Sequence, residues 1–526
     1  MSALAATARA RRLAGVAAVL RAPRLVVPRI VLGLLAVAVV SYHLRSTALH
    51  ARYWIDEGLS IGISSHGLLD IPGILRQDGS PPVYYLLLAV WTSLFGDGEA
   101  RTHMLSLIFA LLTIPAGFFV ARTIFDERSG WFVAVLCAVN PFLNYYAQET
   151  RMYSLVVLLS MLAAGTFALA YVQGRRRWLG PFVACGTLLI YTHNWGLFTM
   201  AGTVVALVPL LWRRRVPWRD VLIGYGAIAV LYLPWVPTLL FQAAHTAAPW
   251  SGVPKIQHLP GDLASLAGGA GPGVAILLAG GAGLAAYLAR REPGSGERTP
   301  QTRAATSIAI VIVAAIVLAF VSSQISPSWT TRYFAAIIGP LALFVGAVLA
   351  RAGNLGLATL AVLAGLWLHP PTAAVNGKSD AHRVANVVAP LLHPGDLVVS
   401  THPEQLTLLH FYFPPGLRWA NGMGFVETTD WMDWRDALDR YKAARPTATA
   451  RKLIATLRPG QQLVLVQPII ATASWGAPWT SLVRRRARQW ERALGRDPRL
   501  VREEALPKLR PRRLPRGVRV VLYMRR

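Results

Sequence analysis

Long apolar runs recur along the first 370 residues, and they constrain the fold more than any other feature. Hydrophobic residues make up 54% of the 526-residue chain and charged residues only 15%, against about 25% charged residues in an average soluble domain. A membrane-spanning helix needs about 20 apolar residues. After a first run at 30–40, further runs lie at 103–122, 130–145, 153–173, 178–192, 195–212, 220–240, 263–289, 304–323, 333–350 and 354–369. They predict a polytopic α-helical membrane protein with about 11 transmembrane helices.

The apolar segment 82–95 is too short to cross a bilayer comfortably, so we expect a re-entrant or interfacial helix there. The distribution of basic residues favours this interpretation. If the segment does not span and the N-terminus is cytoplasmic, 20 Lys and Arg lie in or beside inner loops and 7 in the short outer segments. Such a bias is typical of membrane topology. The sequence therefore predicts a multi-pass cell-membrane protein whose residues beyond 370 are extracytoplasmic.

The predicted organisation has three parts. A basic cytoplasmic N-terminus covers 1–25, a transmembrane catalytic domain covers 26–370 with its first outer loop and juxtamembrane helices at 44–102, and a small extracytoplasmic α/β domain covers 371–526. In this last part, helix-like segments alternate with strand-like segments. The helices are predicted at 380–392, 434–444 and 480–494, and the strands at 396–401, 462–469 and 518–524.

The net charge of the chain is +28, and nucleic acid is not needed to explain it. Inner loops account for part of the excess, and the segment 370–526 alone carries 26 basic and 12 acidic residues. An anionic lipid surface is the predicted partner of this segment, with a merely solvated Arg-rich surface as the alternative. The preference for Arg over Lys is typical of a GC-rich bacterial genome, such as an actinobacterial one.

Two acidic sites in the first outer loop are candidates for chemistry. Asp56 and Glu57 follow an aromatic pair, and a carboxylate at a membrane surface can accept a proton from an attacking hydroxyl. Their adjacency is expected to raise one of the two pKa values, although a helix N-terminal acidic pair with only a capping role is the alternative. Asp78 precedes Ser80 and two prolines, where an Asx turn is the competing interpretation.

The other candidate residues lie at the outer ends of later spans. An Arg there suits a lipid phosphate, since guanidinium groups bind phosphate bidentately, whereas snorkelling to the interface is the alternative. Glu149 and Arg151 are two residues apart and point to different helix faces, so we expect each to bind other groups. These candidates are Glu149, Arg151, Tyr153, His193, Asn194, Arg332 and Tyr333.

Motifs for nucleotide, metal or serine-hydrolase chemistry are absent from the sequence. There is no Walker loop, GxSxG, HExxH or strand-associated GxGxxG, and the first outer loop holds no DxD. We therefore predict no metal site and no cofactor.

Three stretches carry a family resemblance: YWIDEGLS, SPPVYYLLLAVWTSLFG and NPFLNYYAQETRMYSL. Over roughly 25–370, the chain resembles the GT-C superfamily of membrane glycosyltransferases, and within it glycosyltransferase family 39, the protein mannosyltransferase and aminoarabinose transferase group. The resemblance implies a GT-C fold and an inverting single displacement from a polyprenyl-phosphate sugar. It implies Asp56 as the base, with Glu57 beside it, and a donor phosphate near Arg332 and Arg151.

Substrate identity stays open at this level. Relatives carry His where this chain has Ser80, so the role of Asp78 is undecided, and it is grouped with Glu149, Tyr153, His193, Asn194 and Tyr333 as substrate-binding. Mannose and arabinofuranose are both compatible donor sugars, and the acceptor is a cell-envelope glycan, a glycolipid or a protein. A transporter or flippase of lipid-linked glycan is the alternative function, followed by a scaffold in which the tail is the working part.

Overall fold

The structure is a computed structural model that describes residues 28–294, 296–369, 377–470, 476–506 and 516–526. The predicted basic N-terminus, 1–25, and the predicted domain boundary at 370–371 lie outside the described residues.

Helices dominate the chain up to residue 369. The outer-loop helices are short, and the helices of the apolar runs are longer. In chain order they are α1 (Arg29–Arg45), α2 (Ile55–Ser64), α3 (Ile71–Asp78), α4 (Val83–Phe95), α5 (Glu99–Ile124), α6 (Glu127–Val139), α7 (Pro141–Tyr146), α8 (Tyr153–Phe167), α9 (Leu179–Thr192), α10 (Gly196–Trp212), α11 (Trp218–Tyr232), α12 (Val236–His245), α13 (Leu259–Leu266), α14 (Ala270–Leu288), α15 (Pro300–Ile325), α16 (Ala335–Arg351) and α17 (Gly353–Trp367).

Each predicted apolar run coincides with helical structure. Within the described ranges, six helical segments are long and apolar enough to cross a membrane, among them Glu99–Ile124 and Pro300–Ile325. The count of eleven crossings therefore stays a prediction. Helix α4 has 13 residues and is about 20 Å long, which is shorter than the roughly 30 Å hydrocarbon core of a bilayer.

Two predicted runs are each divided into two helices. The run 130–145 breaks where α6 ends, because Pro141 starts α7 and the Asn140 side chain accepts a hydrogen bond from the Leu143 amide (3.0 Å). The run 263–289 breaks at Gly268 and Gly269, which adopt φ values of +78° and +132°. Hydropathy alone predicts each of these apolar stretches as one helix. The local backbone conformation interrupts the helix at the proline and at the two glycines.

The tail is built around one mixed sheet. Its elements are α18 (Ala381–Val388), β1 (Leu397–Ser400), α19 (Leu406–Tyr412), β2 (Arg418–Asn421), β3 (Gly424–Phe425), α20 (Ala437–Ala443), α21 (Pro446–Ile454), β4 (Gln462–Ile470), α22 (Trp479–Gly495), β5 (Leu500–Leu506) and β6 (Arg516–Arg525). The strand order is β3-β2-β1-β4-β6-β5, with β1 parallel to β2 and β4 and the remaining pairs antiparallel. The six elements predicted from sequence are present, whereas α19, α21, β2, β3 and β5 were not predicted.

Both faces of this sheet are buried, and alternate residues separate the two cores. In β4, Val464 and Val466 belong to the core shared with the membrane helices, whereas Leu463 and Leu465 pack with α21 and α22. The unbroken apolar sequence of β4 follows from this double burial.

The tail packs directly on the first outer loop. A Cβ added to Gly58 of α2 would lie 3.0 Å from the Leu408 Cα, and one added to Gly62 would overlap the carbonyl oxygen of Asp430. Backbone hydrogen bonds join Trp434 to Gln77 (3.1 Å). The tail therefore shares one core with the membrane part, a contact that the sequence did not indicate.

Candidate active site

A cavity of about 810 Å³ lies between the first outer loop, the outer ends of the later helices and the tail. Most of the residues selected from sequence line it. They are Asp56, Asp78, Glu149, Arg151, His193, Asn194, Arg332 and Tyr333. The cavity thus brings together side chains that are spread over almost 280 positions of the sequence. Two other candidates, Glu57 and Tyr153, are not part of its wall.

Asp56 and Arg332 form an ion pair at the cavity wall. Asp56 lies in the first turn of α2, and Arg332 lies in a single helical turn, Thr331–Phe334, that precedes α16. The Arg332 Nη1 is 2.6 Å from the Asp56 Oδ2, and both side chains are 18% exposed. Arg332 is therefore directed at a carboxylate in the cavity, and its guanidinium also lies 5.6 Å from the Tyr333 ring.

Arg151 binds helix α2 next to Asp56. Its Nη1 donates to the backbone carbonyl of Asp56 (3.2 Å) and to the Ser60 hydroxyl (3.1 Å). The guanidinium lies 5.8 Å from the ring of Tyr153, which is itself buried. A second positive charge is thereby fixed within the same part of the cavity, next to the Asp56 backbone.

Glu57 points into the protein interior, where both oxygens of its carboxylate have hydrogen-bond or ion-pair partners. It accepts hydrogen bonds from His103 Nε2 (2.6 Å) and the Thr150 amide (2.8 Å), and it pairs with Lys378 (3.3 Å). It also accepts from the Trp54 amide (3.3 Å) at the start of α2, which is the capping role considered for it. Burial opposes its ionisation, but Lys378 and His103 prevail and lower the pKa of Glu57 to about 2. The expected rise in pKa from its acidic neighbour is therefore wrong for this residue.

Glu149 and Lys378 complete the buried charge cluster. The Trp54 indole donates to the Glu149 Oε1 (2.9 Å), and the Lys378 Nζ is 3.7 Å from the same oxygen. Burial and the carboxylates of Glu57 and Asp56 raise the pKa of Glu149, despite Lys378. As predicted, Glu149 and Arg151 bind other groups rather than each other.

Lys378 is a functional candidate that sequence reasoning missed. It is one of only five Lys in an Arg-rich chain, and it lies just before the first helix predicted in the tail, 380–392. Its side chain is 1% exposed and its Nζ also donates to the Gln148 carbonyl (2.8 Å). The rarity of Lys was the one signal available, but only the fold shows that the tail delivers this charge beside Glu57.

His193 and Asn194 line the cavity as well. The His193 ring packs 4.9 Å from Tyr333 and 6.0 Å from Tyr153. Burial, together with Arg151 and Arg332, lowers the pKa of His193 to about 3, so the imidazole is neutral. Asn194 donates to the Gly79 carbonyl (3.2 Å), which anchors the turn after Asp78. Asp78 itself has a pKa raised to about 6 by burial.

The tail supplies part of the wall that no sequence motif indicated. These residues are Glu404, Trp434, Gly476 and Thr480. They lie on loops and a helix start that are far apart in the chain, so only the packing of the tail on the membrane helices brings them to the cavity.

Comparison with known proteins identifies the fold. The family model described as dolichyl-phosphate-mannose-protein mannosyltransferase matches residues 79–240. ArnT from Cupriavidus metallidurans superposes with a TM-score of 0.57 and 17% identity in its undecaprenyl phosphate-bound structure, covering 94% of this chain and 97% of that one. Its apo structure gives 0.56 and 16%, covering 83% and 92%. The resemblance to the GT-C superfamily is confirmed. The chain is therefore a multi-pass membrane protein of GT-C fold.

A curated relative matches over a shorter region. It is undecaprenyl phosphate-alpha-4-amino-4-deoxy-L-arabinose arabinosyl transferase 2 from Pseudomonas fluorescens, 27% identical over 223 residues. The alignment covers 39% of this chain and 37% of the relative. Within the GT-C fold, the family match includes Arg151 and Asn194, whereas Asp56 and Arg332 lie outside it.

Proposed function

We propose that this protein is an inverting glycosyltransferase that moves a sugar from a polyprenyl-phosphate donor to an extracytoplasmic acceptor. The observation that carries the proposal is the Asp56–Arg332 ion pair at the wall of a cavity of about 810 Å³. A carboxylate and two arginines in one such cavity provide a proton acceptor and a phosphate site.

Asp56 is the proposed general base. Asp56 is paired with Arg332 and remains partly exposed to the cavity. It accepts the proton of an acceptor hydroxyl as that oxygen bonds to the anomeric carbon of the donor. Glu57 is not proposed as the base, since it is fully buried and bound by His103 and Lys378.

Arg332 and Arg151 are the proposed phosphate ligands. As the anomeric C–O bond breaks, its electron pair stays on the polyprenyl phosphate, and the two guanidinium groups balance the developing charge. Because Arg332 is paired with Asp56 in this structure, the arriving phosphate takes over part of the Arg332 hydrogen-bonding capacity. Donor binding then leaves the Asp56 carboxylate available to the acceptor hydroxyl.

The comparisons support an isoprenoid-phosphate sugar as the donor class. The family model is named for dolichyl-phosphate mannose, and the Pseudomonas relative for an undecaprenyl-phosphate aminopentose. Mannose, arabinofuranose and amino-substituted pentoses are the donor sugars to test, with cell-envelope glycan, lipid and protein acceptors. No metal or cofactor takes part in the proposed mechanism.

The tail is proposed to rest on an anionic lipid surface outside the cytoplasm. Four arginines along α22 are exposed at helical spacing: Arg485, Arg488, Arg492 and Arg496. A row of this kind on one helix face matches the charge of anionic lipid head groups.

The decisive experiment uses the full-length protein in nanodiscs with a panel of labelled polyprenyl-phosphate sugars and candidate acceptors. Transfer of label, with release of polyprenyl phosphate, is the expected result. Asp56→Asn keeps the side-chain shape and should reduce the rate by about 10² to 10⁴, or roughly 3–5 kcal/mol in the barrier. Movement of intact donor between leaflets of a proteoliposome without transfer would instead indicate a flippase.

A further inference from the structure

Two amide side chains clamp the turn that follows Asp78. Gly79 adopts a φ of +101° at the end of α3, a conformation that favours glycine. The Gln242 amide nitrogen donates to the carbonyls of Leu75 (2.8 Å) and Ser80 (3.3 Å), and Asn194 donates to the Gly79 carbonyl. These bonds fix which end of each amide faces the backbone.

The other end of each amide is left without a partner. In the part of the chain that the structure describes, no donor reaches the Oε1 of Gln242 or the Oδ1 of Asn194, although both atoms are buried. Gln242 as a whole is only 4% exposed, and both side chains line the cavity. Buried acceptors of this kind are costly unless a ligand or water completes them.

Asp78, the last residue of α3, also lines the cavity and directly precedes this turn. Three side chains with acceptor oxygens are therefore bound to the turn or next to it in the chain. A phosphate is unsuited to the part of the cavity next to this turn, because the acceptor oxygens of the side chains repel the phosphate oxygens. A sugar is suited, since each of its hydroxyl groups or an amino substituent donates hydrogen bonds.

Aromatic side chains line the same cavity. Trp250 and Trp434 pack edge to face at 4.6 Å, and the Trp250 Nε1 has no acceptor among the described residues. An apolar ring face next to an unused N–H is a common combination for binding a sugar, which carries both C–H faces and hydroxyl oxygens.

We propose that Asp78, Asn194 and Gln242 form a carbohydrate-recognition site, with Trp250 as its aromatic wall. The inference rests on the proposed glycosyltransferase function and names a sugar as the group held beside the 78–80 turn. The sugar comes either from the donor or from a glycan acceptor, and the experiments below separate these sources.

The first experiment measures binding without turnover. Saturation-transfer NMR is recorded on the full-length protein in nanodiscs, because maltoside detergents would themselves present a sugar. The probes are methyl α-mannopyranoside, methyl α-arabinofuranoside and methyl glucosaminide. Wild type should bind at least one probe, and Gln242→Met and Asn194→Leu should weaken that binding about tenfold. The control is Gln324→Met, which removes an exposed amide outside the cavity wall.

If Gln242 and Asn194 only hold the turn in place and bind no sugar, their variants should show a different pattern of glycoside binding. Gln242→Glu and Asn194→Asp keep an acceptor oxygen but lose the hydrogen bonds donated to the turn. If these residues only hold the turn, the acidic variants should lose as much glycoside binding as Gln242→Met and Asn194→Leu. Recognition by the free oxygens predicts that the acidic variants retain more glycoside binding. Equal loss in both kinds of variant, unchanged binding in Gln242→Met, or no probe binding to wild type would each overturn the proposal.

The second experiment identifies the source of the sugar once a donor that supports turnover is known. If the donor sugar is held here, Asn194→Leu slows both transfer to acceptor and hydrolysis of the donor by water. If an acceptor sugar is held here, the acceptor KM rises by a larger factor than the one by which donor hydrolysis slows. Failure of every donor to turn over, with glycoside binding that depends on Gln242, rejects the proposed reaction but leaves this site in place.

Discussion

Asp56 and Arg332 are 276 positions apart in the chain, yet their side chains meet at 2.6 Å. The pair gives each residue a partner in the free protein and places the proposed base beside a proposed phosphate ligand. Neighbouring residues have different surroundings, since Glu57 is fully buried while Asp56 faces the cavity. At this scale, burial and partner identity distinguish a reactive carboxylate from a structural one.

Replacing Arg332 tests the phosphate site. Arg332→Lys retains the charge but loses the planar fork, so we expect kcat to fall about tenfold, and Arg332→Ala to reduce it by about 10²-fold or more. Steady-state kinetics with varied donor concentration provide the measurement. If Arg332 only snorkels to the interface, Lys will serve as well as Arg with unchanged kcat and donor KM, and Arg151 becomes the next candidate.

The pH profile tests Asp78. Burial raises its pKa to about 6, with Asp56 acting in the same direction, while Ser80 and Arg151 favour the charged form. The group is therefore protonated below about pH 6 and loses its acceptor charge, so kcat/KM should decline by up to about tenfold per pH unit below that value. Asp78→Asn should remove this limb from profiles recorded between pH 5 and 8. A limb at the same pH in the variant would contradict the assignment.

Among the elements, α2 is held by contacts on two sides. Tail helix α19 leaves little room for a Cβ on Gly58, and the Asp430 carbonyl oxygen leaves none on Gly62. The buried cluster of Glu57, His103 and Lys378 anchors the other side. Helix α2, which carries the proposed base, is thus positioned by the tail as well as by the membrane helices.

Removing Lys378 should destabilise the protein. Lys378→Met leaves the buried carboxylates of Glu57 and Glu149 with less compensation, and breaking a buried ion pair costs about 3–5 kcal/mol. Thermal unfolding in nanodiscs measures the loss. Lys442→Met is the matched control, because Lys442 is 55% exposed and pairs only at the surface with Asp439. Its removal is worth less than about 1 kcal/mol, and equal melting temperatures for the two variants would exclude the cluster as an anchor.

For the whole molecule, the tail closes one side of the cavity, so the membrane topology decides on which side of the membrane the proposed reaction takes place. If the tail is extracytoplasmic, the proposed donor and acceptor meet outside the cytoplasm. The first outer loop contacts the tail through α2 and through Gln77 of α3.

Cysteine labelling tests this topology. Ala455→Cys lies at an exposed position directly after α21, away from the arginine row of α22, and should react with an impermeant thiol reagent in intact cells. Arg177→Cys, in a predicted cytoplasmic loop and also exposed, should react only after lysis. The reverse pattern would show that the tail is cytoplasmic and that the predicted number of crossings has the wrong parity.

Much of the architecture follows from local sequence. Apolar runs fix where helices form, because an unpaired backbone is excluded from the bilayer, and breaks such as Asn140-Pro141 act through neighbouring atoms. Six polar residues at the outer ends of these runs meet two from the first outer loop in the cavity. Short-range patterning also predicted β1, β4 and β6, since these strands carry continuous apolar residues.

The sequence by itself determined the helical framework and the face on which charged residues gather. Only the tertiary structure decided which charges are exposed to a substrate. Adjacent residues on a helix point about 100° apart, so Asp56 and Glu57 enter different environments, and Lys378 meets Glu57 from 321 positions away. Such long-range burial and pairing depend on how the tail packs on the membrane helices, and hydrophobic periodicity carries no information about that contact.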